Sequence, residues 1–134
     1  MINKEIIKIA SNTNFEGLKK KYTHKSSIKN KVCGDLIKIE LIADKFKIKS
    51  MRYETESCIL CEASASLLAS NVKNFNLKKL LKNINILKDI KKTGKFTFPS
   101  RFKEFKKLIN KRTLARINCV ILPMDALLKA FKSK

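Results

Sequence analysis

The spacing of apolar residues changes once along this chain, near Ser57, and the change limits the folds open to it. Before that point, Ile37, Ile39 and Leu41 alternate with Lys38 and Glu40 across Asp35–Ala43, the period of a half-buried strand. Asp44-Lys45 turns the chain, and Phe46–Thr55 reads as a second strand with Met51, Tyr53 and Thr55 on one face. Ile48 is out of phase with those three, which predicts a bulge near Lys49-Ser50. After Ser57 the apolar positions recur at helical spacing. Ala63, Leu67 and Leu68 mark a helix over Leu60–Val72, whose small residues allow close packing. A hairpin followed by helices is an α+β pattern.

The remaining elements follow from local signals. Ile6, Ile7, Ile9 and Ala10 suit a short amphipathic helix, followed by a polar, basic stretch from Lys19 to Lys31 that reads as loop or loosely held edge. Asn76 is placed to cap a helix carrying Leu80, Leu81, Ile84 and Leu87, with Gly94 at its end. Phe96–Pro99 reads as extended. Phe102, Phe105, Leu108 and Ile109 suggest a further helix, and Val120–Phe131 the last, with Pro123 in its first turn. The 134 residues make one domain, with 1–30 as N-terminal helix and basic loop and 31–134 as its core. No run approaches the ~20 apolar residues of a membrane span. Met1-Ile2-Asn3-Lys4-Glu5 does not open a signal peptide, so the protein is expected to be cytoplasmic.

Lys and Arg number 31 against 11 acidic residues, a net charge of +20. Such a balance raises nucleic-acid binding as one function class. Against it, only four of the basic residues are Arg (Arg52, Arg101, Arg112 and Arg116), the residue suited to bidentate phosphate and base-edge contacts. The composition is also rich in Lys, Ile and Asn, whose codons are A/T-rich, so base composition accounts for much of the charge.

Four cysteines carry the chemistry: Cys33, Cys58, Cys61 and Cys119. In a reducing setting scattered cysteines suit metal binding or reactivity better than disulfides. Cys33 leads into the first strand, Cys58 lies where the second strand gives way to a helix, and Cys119 sits ahead of the last helix. Helix N-termini favour thiolates, which are both soft ligands and sulfur nucleophiles. Asp35 is two residues after Cys33, and Gly34 between them permits an unusual backbone angle that turns both side chains inward. Three thiolates and a carboxylate suit tetrahedral zinc or ligation of an iron–sulfur cluster. Buried packing of free cysteines is the plainer alternative.

Three segments in order resemble the IscU/SufU/NifU N-terminal-domain family of iron–sulfur assembly scaffolds. They are Val32-Cys33-Gly34-Asp35, Cys58-Ile59-Leu60-Cys61-Glu62-Ala63-Ser64-Ala65-Ser66 following Arg52-Tyr53, and Ala115-Arg116-Ile117-Asn118-Cys119-Val120-Ile121-Leu122-Pro123. The resemblance runs from about Lys31 to Phe131. It implies an α+β fold with a three-stranded antiparallel sheet packed against C-terminal helices. It implies a site made by Cys33, Asp35, Cys58 and Cys119 that binds iron, a [2Fe–2S] cluster or zinc. It also implies sulfur from a cysteine desulfurase, with Cys119 as the sulfur acceptor, and downstream cluster-assembly or acceptor proteins.

Three positions depart from that family. Asn118 replaces a His found before the third cysteine in housekeeping IscU members, which turns the resemblance towards a SufU-like, His-lacking branch. Ser57 replaces a Gly before the second cysteine. Cys61 is an additional thiol one turn beyond Cys58, open to roles as fourth ligand, second sulfur acceptor or core residue. His24, the single histidine, falls in the basic stretch and is expected to be solvent-exposed. The leading expectation is therefore a binding and transfer scaffold rather than an enzyme. The alternatives are a zinc-dependent sulfur-relay transferase partner of a desulfurase, and a basic nucleic-acid-binding protein with structural cysteines.

Overall fold

The alternating row Ile37, Ile39 and Leu41 is almost wholly buried. It belongs to β2 (Leu36–Ala43), the middle strand of a three-stranded antiparallel sheet between β1 (His24–Lys29) and β3 (Ile48–Glu56). The computed structural model describes residues 3–30 and 34–132. Its helices are α1 (Lys4–Ala10), α2 (Ile59–Asn71), α3 (Leu77–Thr93) and α4 (Ile117–Lys132), with 3-10 segments at Ser100–Lys107 and Leu114–Arg116. The fold is α+β, as the change of period requires. Among the described residues, no helix is long and apolar enough to cross a membrane.

The phase of Ile48 has a structural cause. Ile42 pairs with Ser50 and Ala43 with Ile48, so Lys49 is an extra residue in β3. That bulge brings Ile48 onto the buried face beside Met51 and Tyr53. The other face carries the cross-strand pair Glu40 and Arg52, which ties down the segment before β1. Glu40 Oε1 accepts from the Lys19 and Lys20 amides at 2.9 and 3.1 Å. The Arg52 guanidinium donates to the carbonyls of Asn14, Glu16 and Gly17.

The helices cover the buried face. α4 crosses β1 and β2, and α2 packs on β3, α1 and α4. Ala63, Ser64, Ala65 and Ser66 are all buried, because small side chains let neighbours approach α2 from every side. The Ser26 hydroxyl donates to the Ala126 carbonyl at 2.6 Å, seating β1 on α4. In α3 the Asn76 side chain accepts from the Lys79 amide, and Gly94 closes the helix at φ +68°.

Several expected boundaries are corrected. Of the two readings of the basic stretch, loop or loosely held edge, His24–Lys29 takes the second: it is an edge strand held by β2 on one side only. β3 starts at Ile48 and not at Phe46. Asp44 Oδ1 accepts from the Phe46 and Lys47 amides in the turn, leaving Phe46 exposed at the tip. Phe102 and Phe105 are buried on a 3-10 segment with non-helical dihedrals at Phe102, not on an α-helix. α4 begins at Ile117, so Pro123 is inside the helix and not in its first turn.

Candidate metal centre

Asp35, Cys58 and Cys119 come from three elements and meet. Asp35 precedes β2, Cys58 is the N-cap of α2, and Cys119 lies in the first turn of α4. One carboxylate oxygen and the two sulfurs all lie within 4.8 Å of one another. A tetrahedral site whose ligands stand ~2.0–2.3 Å from an ion has edges of roughly 3.3–3.8 Å, so the three groups would draw together by up to about 1 Å around an ion.

Asp35 is 7% exposed. Its Oδ1 accepts from the Cys58 amide at 3.3 Å, joining the strand side of the site to the start of α2. Its Oδ2 is buried with no hydrogen-bond partner among the described residues. A buried carboxylate oxygen without a donor is costly. A cation shared with two thiolates would satisfy it, so the donor set fits a soft or borderline metal. Cys58 is half-buried, and its side chain makes no capping bond to the first turn of α2.

The Cys119 thiol behaves contrary to the helix-end argument. Burial first, then its hydrogen bond and proximity to Cys58, and then the Asp35 charge push it up to about 12. Arg116 acts in the expected, opposite direction and is outweighed. Two thiols and a carboxylate crowded out of water resist further negative charge until a cation arrives.

Cys33 lies outside the described residues. Its neighbour Gly34 adopts φ +77° and donates to the Asn30 carbonyl at 2.7 Å, while the Asn30 amide donates to the Asp35 carbonyl at 2.7 Å. These bonds close the β1–β2 connection and hold Asp35 at the site. Cys61 is fully buried at the third position of α2 and is not one of the three converging groups. Burial chiefly drives its thiol to about 12, against a side-chain hydrogen bond with Ser57. Ser57 is not in a left-handed conformation, so the usual Gly is dispensable there. Asn118 is exposed and accepts from Lys91 Nζ at 3.3 Å, bound to α3 rather than offered to the site.

His24 is in β1, half-buried, with its ring edge-on to Phe131 at 5.9 Å. It pairs with Leu41, at the opposite end of β2 from Asp35. A feature unnoticed in the sequence is an acidic cleft reached by Leu36, next to Asp35, and by Glu62 of α2. Glu16, Glu54, Glu56 and Glu62 line a cleft of about 430 Å³ in a chain of only 11 acidic residues. Partial burial first, then the Glu16 charge, raise the Glu62 carboxyl above its ordinary value. The available signal was Glu62 standing one turn beyond Cys58.

Comparison with known proteins places the chain in a family and a fold. The family model described as the NifU-like N terminal domain matches residues 1–132. A nitrogen-fixing NifU-like protein (N-terminal) from Brucella abortus superposes with a TM-score of 0.84 at 21% identity, over 97% of this chain and 91% of that one. A protein from Fervidobacterium islandicum AW-1, named as an iron–sulfur cluster assembly scaffold for the SUF system, superposes at 0.86 with 20% identity, over 98% and 96%. At those identities the likeness is one of fold. No curated protein matches the chain.

Proposed function

This chain belongs to the NifU-like N-terminal domain family, and from that premise we propose that it is a scaffold on which iron and sulfur are assembled into a cluster. The observation that carries the reading is the buried, unpartnered Asp35 Oδ2 beside the Cys58 and Cys119 sulfurs. Cys33 is the fourth member of the ligand set. The cargo is iron or a [2Fe–2S] cluster, with zinc as the alternative occupant. A cysteine desulfurase supplies sulfur, downstream acceptors remove the product, and the work is done in a reducing cytoplasm where the thiols persist.

Each group has a separate task. Cys58 and Cys119 give soft sulfur ligands, and each surrenders a proton when an ion binds. Asp35 gives a harder oxygen ligand and orients the start of α2 through the Cys58 amide. Cys119 accepts the sulfur atom, and Arg116 supplies positive charge beside its developing thiolate. Burial keeps the Cys119 thiol protonated until a cation or sulfur donor arrives.

Elemental analysis and an ultraviolet-visible spectrum of anaerobically purified protein test this. Iron with visible absorption, lost in Cys58→Ala and Cys119→Ala, is expected. Metal content unchanged by either substitution would sink the reading. Zinc without visible absorption would select a second reading, a zinc-dependent sulfur-relay transferase in which docking releases Cys119. The closeness of the Cys119 and Cys58 sulfurs, within 4.8 Å, favours that version, because a single ion would engage both and docking would have to free Cys119.

A further inference from the structure

The thiol left without a task is Cys61. With Cys58 it forms Cys58-Ile59-Leu60-Cys61 at the mouth of α2. Cys58 is the N-cap, with φ −70° and ψ 164°, and Cys61 is the third helical residue. The N-cap and third helical positions are those whose groups reach one another in a capping box. Here the N-cap sulfur makes no capping bond, so it is not committed to an amide. Cys61 is completely buried in the first turn of α2, on the same helix end as Cys58. Two thiols separated by two residues at a helix N-terminus are the arrangement used for thiol–disulfide exchange.

We infer that Cys58 and Cys61 form a two-electron donor pair that reduces a sulfur atom carried on Cys58 to sulfide, with Cys61 as the resolving thiol. The inference rests on the sulfur-accepting reading above. Sulfur arriving as a persulfide on Cys119 passes to Cys58, whose sulfur lies within 4.8 Å. The Cys58 sulfur attacks the outer sulfur, Cys119 leaves as a thiol, and Cys58 becomes the persulfide. Cys61 then attacks the inner sulfur, which is Cys58 Sγ itself. The Cys58–Cys61 bond forms, the sulfur–sulfur bond of the persulfide breaks, and the outer sulfur departs as hydrogen sulfide carrying both protons. Cys61 is oxidised and the departing sulfur is reduced. The disulfide withdraws Cys58 from the ligand set until an external dithiol reduces the pair. The buried, protonated state of Cys61 suits a reserve thiol that is silent until the persulfide stands beside it.

The test treats reduced, anaerobic wild-type protein, Cys61→Ser and Cys61→Ala with glutathione persulfide. Sulfide is measured together with the masses of tryptic peptides 53–73 and 117–129, and far-ultraviolet circular dichroism selects the folded variant for comparison. The wild type should release one sulfide for each peptide 53–73 that loses two hydrogens. The variants should hold a persulfide on Cys58 and release sulfide roughly tenfold more slowly or less. Equal sulfide release from the variants, or a wild-type persulfide that ends on Cys61, would overturn the proposal. Diamide separates the two ways of failing, since it needs no sulfur delivery. A diamide-induced disulfide in 53–73, with no peptide gaining sulfur from the persulfide, overturns the sulfur-accepting reading and this inference with it. No disulfide from either reagent overturns the dithiol pair alone.

Discussion

The Ser64 hydroxyl donates to the Val120 carbonyl at 2.6 Å in the buried contact between α2 and α4. Ser64 is six residues beyond Cys58, and Val120 directly follows Cys119, so this bond ties together the two helices that carry the sulfurs. A buried neutral hydrogen bond contributes about 1 kcal/mol net, and more when a partner is stranded. Ser64→Ala should lower the unfolding free energy by about 1–2 kcal/mol. Metal affinity should fall as well. Urea unfolding and a competitive zinc titration check both; an unchanged affinity would separate the bond from the site.

Asp35 differs from the sulfurs because an oxygen ligand exchanges more readily than a thiolate. Asp35→Ala should give a folded protein that yields bound metal to a chelator more slowly than the wild type. It also removes the acceptor of the Cys58 amide, at a stability cost of about 1 kcal/mol. Chelator-transfer kinetics decide the matter, and faster loss from the variant would contradict the role.

The metal-free protein should lose stability in alkali. Cys61 and Cys119 each have a folded value near 12 against 9.0 for a free thiol. Between those values the unfolded chain has released protons that the folded chain still holds, so unfolding becomes easier as pH rises. The contribution is fully present below about pH 9 and is lost as pH rises towards 12. Lysines titrate in the same range, so the informative quantity is the difference between variants. Anaerobic urea unfolding at several alkaline pH values should give a shallower decline for Cys61→Ser than for wild type.

How much of this was legible in the sequence depends on where the cause lies. The β2–β3 hairpin and its bulge were readable because a buried face imposes alternation, and Ile48 broke it by one residue. β1 was not, since His24-Lys25-Ser26-Ser27-Ile28-Lys29 has one aliphatic residue and owes its extension to the β2 ladder. The strap made by Glu40 and Arg52 was equally hidden, because its acceptors and donors are backbone groups. At the site, ligand chemistry and the family resemblance pointed to Cys33, Asp35, Cys58 and Cys119, of which the last three converge and Cys33 lies outside the described residues. The direction of the Cys119 shift was not readable: a helix end is a local feature, whereas burial beside Cys58 and Asp35 exists only after folding.

Pro123 stands four residues after Cys119, and its missing N–H denies the Cys119 carbonyl the usual bond within α4. A proline inside a helix costs about 3 kcal/mol relative to alanine, which a chain selected for stability alone would avoid. Its position leaves the Cys119 carbonyl without its helical donor beside the sulfur. Pro123→Ala should restore the amide donor and tighten the first turns of α4. Some burial is lost with the ring, so the expected net gain is about 1 kcal/mol in unfolding free energy. The same change should draw the Cys119 carbonyl into the helix and weaken metal binding. Paired measurements of urea unfolding and zinc affinity test this opposition. A variant that is less stable, yet binds metal as well as the wild type, would show that Pro123 serves packing and not the centre.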